Sequence, residues 1–284
     1  MKKKIIFIVV VLLIAIFAVA LYVHIKNNRN NDSDVPVLIN AEGLTVDSRF
    51  LPPENCVKVN PEEGSFAGFL VNRPLKIYGE PALLYNGQIN KDASEVGVFT
   101  YDLTNSDLEQ CADSLIRLRA EYLYSKDEYD KISFKFVSGF ECDYMTWVAG
   151  YRISVSGNDV QWVEGGTKDD YSYENFRKYL DIVDTYASTI SLQRDLEKVS
   201  FDDVNIGDIF VKGGSPGHTV IIVDMAVNTV TGEKMLLIAE GNTPATQMYI
   251  VPNKSTNPWF AFKEGKELDI NGWHCSQEDL RRFE

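Results

Sequence analysis

The chain has 284 residues, 45% of them hydrophobic and 24% charged. That is long enough to bury roughly 70–75% of the surface its unfolded form exposes, which excludes small disulfide scaffolds, fibrous repeats and a disordered bulk. A formal net charge of −13, with no basic stripe outside the extreme N-terminus, repels polyphosphate and excludes nucleic acid as a partner.

The first element in chain order is Lys2, Lys3 and Lys4 followed by 19 uninterrupted apolar residues, Ile5 to Val23. A run of that length crosses a bilayer as one helix, and the lysines hold the short N-terminus in the cytoplasm. Residues 1–25 are therefore expected to be a cytoplasmic stub and transmembrane anchor. Ala18-Val19-Ala20 supplies the alternative, a cleaved signal peptide. Either way the expected location is the cell membrane or beyond it, with the membrane as partner through the N-terminal helix. Residues 26–40, rich in Asn and Asp, form a polar linker, and residues 41–284 a single exported domain. Cys56, Cys111, Cys142 and Cys275 are spaced too irregularly to give a disulfide framework.

Residues 41–100 mix Pro and Gly with short apolar runs, including Phe66 to Val71, and predict short strands and turns. Ser106-Asp107-Leu108-Glu109 is a capping box, so a helix is expected from Ser106, with Leu108, Cys111, Ala112, Leu115, Leu118 and Tyr122 facing inward. Asp113, Arg117 and Glu121 form an i, i+4 charge ladder on another face. Alternation over 132–136, 144–155 and 160–163 predicts antiparallel strands. A second helix follows over 173–190, capped by Ser172, and then strands over 208–212, 218–224, 234–240 and 247–251. Strands and helices in this order define an α+β fold.

One histidine stands out. The sequence holds only His24, His218 and His274, none paired i, i+4, so neither a metal cage nor any cofactor is expected. His218 opens a strand that is apolar on both faces. If that strand pairs with 234–240 across a symmetric loop, residues summing to 458 face one another and His218 meets Glu240, while Asn242 shares Glu240's parity and face. A base and an orienting acceptor then lack only a nucleophile. Cys111 is the candidate, because a helix amino end favours the thiolate and aims N–H groups at a developing oxyanion. The non-catalytic readings of these positions are a small core cysteine, a structural histidine and turn residues at a strand end. His274-Cys275 is a second thiol and imidazole pair by adjacency, although Ser276 and Asp279 cap a short final helix there.

Gly207-Asp208-Ile209-Phe210, then Gly217-His218-Thr219-Val220-Ile221-Ile222-Val223, then Ala239-Glu240-Gly241-Asn242 resembles the strand pattern of papain-like cell-wall amidases of the CHAP and NlpC types. That resemblance implies a papain-like fold, with Cys111 as nucleophile, His218 as base, Glu240 or Asn242 as orienting residue, and the Cys111 N–H with the Gln110 amide as oxyanion donors. A longer resemblance, carried by Asp107 to Asp113, Arg117 to Leu123, Gly213 to His218 and Pro258-Trp259-Phe260, is to the bacterial domain of unknown function 4846 family. The expected function is a membrane-anchored, extracytoplasmic thiol hydrolase of amide bonds with cell-wall peptides as substrate. The alternative is a non-enzymatic surface or periplasmic binding module of the same fold.

Overall fold

The computed structural model describes residues 38–157, 159–253 and 257–284, so the expected transmembrane segment lies outside the described residues. Among the described residues, no helix is long and apolar enough to cross a membrane. The unit Leu38–Glu284 begins inside the expected linker, because Ile39 is buried and bridges Phe50. Helix α1 (Val46–Arg49) is capped by Thr45 and is followed by strand β1 (Cys56–Lys58). Arg49 is fully buried and donates to the carbonyls of Gly43, Val96 and Lys76 at 2.7, 3.0 and 3.0 Å, tying three loop segments together.

Phe66–Val71, expected as a strand, is helix α2, because the Ser65 hydroxyl takes the Gly68 N–H at 3.0 Å and starts a helical turn. Helix α3 spans Cys111–Ser125, four residues later than the Ser106 box suggested. That box does not close because Glu109 is drawn elsewhere, into a buried ion pair with Arg117 and Arg177 at 2.9 and 3.0 Å. Gln110 is the cap instead, its N–H donating to Asp113 at 3.0 Å. The charge ladder is altered with it: Arg117 reaches Glu121 at 2.8 Å, but Asp113 faces the helix start.

Strands β2 (Ser133–Lys135) and β3 (Glu141–Asp143) form a hairpin. The expected strand over 144–155 is divided: Asp143 accepts from the Thr146 N–H at 2.7 Å and starts helix α4 (Tyr144–Val148), leaving β4 (Tyr151–Ser156) to pair with β5 (Asp159–Glu164). The second predicted helix also breaks. Helix α5 spans Tyr173–Tyr186, Ala187 is extended, and Ser188 caps a separate helix α6 (Thr189–Asp195), so that Ile190 faces solvent rather than the core.

The rest of the chain builds the main sheet. Strands β6 (Glu197–Lys198), β7 (Ile209–Lys212), β8 (His218–Asn228), β9 (Lys234–Glu240), β10 (Tyr249–Ile250) and β11 (Trp259–Phe262) are followed by the hairpin β12 (Leu268–Ile270) and β13 (Trp273–Cys275), then by β14 (Leu280–Arg282). Every pairing is antiparallel, in the order β10-β9-β8-β7-β14-β6, with β1 beside the far end of β8 and β11 beside the near end of β9. Val220, Ile221, Ile222 and Val223 are completely buried. Each such side chain is worth about 1.5–3 kcal/mol, which makes β8 the spine of the core. Helices α2 and α3 pack on it.

The observed hairpin register differs from the expected one by two residues. Ile221 faces Ala239 and Ile222 faces Ile238, so pairs sum to 460, and continuing that register sets Glu240 against Val220. A shift of two preserves the face of every side chain. Val223 is then a bulge, after which Asp224 pairs with Leu237. By simple alternation Asp224 would share the face of His218. The extra residue sends it to the other face, where Lys58 neutralises it at 2.6 Å.

Candidate active site

His218, the first residue of β8, and Glu240, the last of β9, lie diagonally across the hairpin on one face. The imidazole Nε2 is 2.7 Å from Glu240 Oε2, and both side chains are buried. The second carboxylate oxygen, Oε1, accepts from the Tyr249 hydroxyl at 2.5 Å and from Asn271 Nδ2 at 2.9 Å. Tyr249 reaches this point because β10 sets it directly opposite Glu240. The indole of Trp273 stacks on the imidazole, with ring centroids 5.1 Å apart and planes at 20°. Four side chains thus fix the position and tilt of one ring.

Cys111 supplies the other contact. Because α3 starts four residues later than expected, Cys111 is its first helical residue, where the unpaired N–H groups and the helix dipole favour negative charge. The amino end of α3 comes this close because of Gly241. A Cβ there would lie 2.2 Å from Ser114 Oγ and 3.2 Å from the Gln110 carbonyl oxygen, so only glycine lets the end of β9 pass the first turn. Ser114 Oγ donates back to that carbonyl at 2.7 Å.

Burial works against a charged imidazole at His218. Hydrogen bonding to Cys111 and then to Glu240, with Coulombic attraction from both, overcomes it and raises the ring to about 9 from 6.5. With Nε2 committed to Glu240, Nδ1 is the nitrogen left for the thiol. At neutral pH the ring therefore favours its cationic form beside Cys111.

The remaining expected residues separate clearly. Gln110 caps the helix, and its side chain bridges the two sides of the cleft mouth: Oε1 accepts from the Thr243 hydroxyl at 2.9 Å, while Nε2 faces the Asp107 carbonyl at 3.3 Å. Asn242 does not touch the imidazole. Its Oδ1 accepts from the Thr243 N–H at 2.8 Å, so the orienting role that sequence left open between Glu240 and Asn242 falls geometrically to Glu240. The pairing of His274 with Cys275 fails because adjacent strand residues point to opposite faces: Cys275 is buried, with its thiol pushed up to about 12, while His274 is exposed. All four cysteines are free.

Cys111, His218 and Trp273 open onto a cleft whose walls include Gln110, Thr189 and Pro216. The glycine-rich loop 213–217 forms one lip. It is seated on α6, since a Cβ on Gly217 would lie 2.4 Å from Thr189 Oγ1. Sequence reasoning missed Tyr249, Asn271 and Trp273. The register of β10 carried the signal for Tyr249, while Asn271 and Trp273 come from a small separate hairpin whose docking no local pattern encodes. Among the described residues, no group of three or more His, Cys, Asp or Glu side chains is placed to hold a metal ion.

A cysteine on a helix amino end, facing a carboxylate-held histidine on an antiparallel sheet, defines an α+β domain with a thiol and imidazole site. The match to the domain of unknown function 4846 runs from residue 46 to 282, and the chain belongs to that family. No curated protein and no solved structure matches the chain.

Proposed function

We propose that this domain is a thiol hydrolase of amide bonds, built on a papain-like arrangement of helix and sheet. The observation that carries the reading is the buried chain Cys111, His218, Glu240, in which one imidazole nitrogen is committed to Glu240 at 2.7 Å and the ring shares its cleft with Cys111, the neighbour that most raises its pKa, at the start of a helix. The Cys111 thiolate attacks the amide carbonyl carbon, and the electron pair of the C=O bond moves onto oxygen. Collapse of that intermediate breaks the C–N bond while the His218 imidazolium protonates the departing amine, leaving a thioester on Cys111. A water molecule, giving its proton to the now neutral His218, then cleaves the thioester and restores the thiol. Glu240 holds the ring in register and stabilises its charged form. The Cys111 N–H, among the free donors of the first helical turn, donates to the developing oxyanion, and the Gln110 side-chain amide joins it only by turning away from the Asp107 carbonyl at 3.3 Å.

Cell-wall peptides are the substrate class we favour, with the domain held outside the cytoplasm by the apolar segment 5–23. Incubating the purified chain with a muropeptide digest and following new amines and masses by mass spectrometry tests the activity. Turnover is expected from the wild type and not from a folded Cys111→Ser variant. A wild-type Cys111 that neither turns over amides nor reacts with small electrophiles would favour a non-enzymatic binding module. Protease added outside spheroplasts should remove the domain, and protection from it would overturn the proposed location.

A further inference from the structure

Two carboxylates in the cleft beside Cys111 have no role in that chemistry. Asp113, in the first turn of α3, spends one oxygen on the Gln110 N–H at 3.0 Å, while its Oδ1 is buried and without a partner. Asp184, in the last turn of α5, likewise has a buried and unpartnered Oδ1. Both residues are more than nine-tenths buried and both line the cleft. Of the nearby cations, Arg117 is bound to Glu109 and Glu121, and Arg177 to Glu109 through Nη2, with its Nη1 buried and bonded to neither aspartate. Position makes Asp184 more costly still. The carboxyl end of a helix carries partial negative charge, and the last turn of α5 contains no basic residue to offset it. Burial, with repulsion from Glu109, raises Asp113 to about 7, and burial, with repulsion from Asp113, Glu109 and Asp181 outweighing the pull of Arg177, raises Asp184 well above its ordinary range.

A chain that saturates Glu109 and Glu240 with donors leaves these two carboxylates short of them, in the wall of the cleft that holds Cys111. We propose that Asp113 and Asp184 form a cation-recognising subsite that takes a primary ammonium group carried by the amide substrate. The proposal rests on the hydrolase reading for the word substrate, and deepens it by naming the charge that substrate bears. An organic ammonium fits better than a metal ion, because two carboxylates without a third ligand do not make a cation cage. An ammonium offers three N–H donors, enough for both orphaned oxygens.

The test uses the full chain and two methanethiosulfonates that differ in charge, the 2-ammonioethyl and the methyl reagent, with labelling at each cysteine followed by mass spectrometry. Half-buried Cys56, remote from the cleft, is the internal reference. At Cys111 the ratio of cationic to neutral labelling rates is expected to exceed that at Cys56 by tenfold or more, and to fall at least fivefold in Asp113→Asn and in Asp184→Asn, each ratio taken against the neutral rate of the same variant. A reactive Cys111 with no cation preference, or with a preference that survives both substitutions, would overturn the subsite while leaving the hydrolase reading intact. If Cys111 resists both reagents the hydrolase reading fails, and calorimetry with Nα-acetyl-lysine methylamide against the norleucine analogue decides the subsite alone. Binding of the lysine compound only, weakened tenfold in the double Asn variant, supports it, and equal or absent binding of the two overturns it.

Discussion

Glu240 and Asp113 are both buried carboxylates within reach of one cleft, and the protein treats them in opposite ways. Glu240 receives His218, Tyr249 and Asn271, so both oxygens are saturated. Asp113 receives one backbone N–H and leaves an oxygen without a partner, as does Asp184 across the wall. An unsatisfied buried polar atom costs about 1–3 kcal/mol, more when charged, so the difference is not neutral. Saturation belongs to the group that holds the His218 ring. The unsaturated pair keeps the capacity to accept donors from outside.

That contrast can be broken most forcefully at Glu240. Glu240→Ala leaves Tyr249, Asn271 and a histidine without their acceptor, and should lower unfolding free energy by about 4 kcal/mol, as measured by denaturant titration at pH 7. The same substitution should change the pH profile. In the wild type His218 is raised to about 9, so its contribution to stability is complete below its ordinary value of 6.5 and is lost as pH rises through about 9. Without Glu240 that loss should begin at lower pH. An unchanged profile would show that Glu240 does not govern the charge on the ring.

At the unsaturated pair the pH dependence runs the same way, but substitution has the opposite effect. A carboxyl group raised on folding makes the native state bind protons more tightly than the unfolded chain does, so its contribution is most favourable below about 4 and declines as pH rises through about 7. Replacing Asp113 and Asp184 together by Asn removes that decline. The double variant should exceed wild-type stability by about 1–2 kcal/mol at pH 8 and lose the advantage near pH 4, in paired thermal or denaturant unfolding. A destabilised variant at pH 8 would mean the two carboxylates have partners after all, and the contrast with Glu240 would dissolve.

How much of this was legible before the fold was known follows from the range of each cause. Alternation and parity placed His218 and Glu240 on one face, because a strand's period survives an error of two in register. The bulge at Val223 was not legible, since nothing in the run His218 to Asp224 distinguishes it from regular strand. Helix α3 shows the limit of local signals. Ser106 and Glu109 satisfy the spacing of a capping box, yet Glu109 is taken by Arg117, eight residues on, and by Arg177, sixty-eight residues on. The same competition ended the predicted strand at Tyr144, where Asp143 acts as a cap, and divided the second helix at Ser188. The orphaned pair was invisible in sequence, because Asp113 and Asp184 meet only when α3 and α5 pack.

The smallest effect sharpens the comparison on the saturated side, where sequence alone offered Glu240 and Asn242 equally. Both have the right parity, but only Glu240 reaches the imidazole. Asn242 accepts from the Thr243 N–H and lowers the Tyr249 hydroxyl's pKa as a neighbour, outside the ring's own contacts. Asn242→Ala therefore removes a turn contact and a neighbour of the Tyr249 hydroxyl, and leaves the 2.5 Å bond from Tyr249 to Glu240 available. The expected cost is about 1 kcal/mol in denaturant unfolding. Labelling of Cys111 by the neutral thiosulfonate should stay within about twofold of wild type, because a group that does not hold the ring cannot change its charge or direction. A tenfold loss of Cys111 reactivity in Asn242→Ala, with the fold retained, would move the orienting role from the strand's last residue to the turn that follows it.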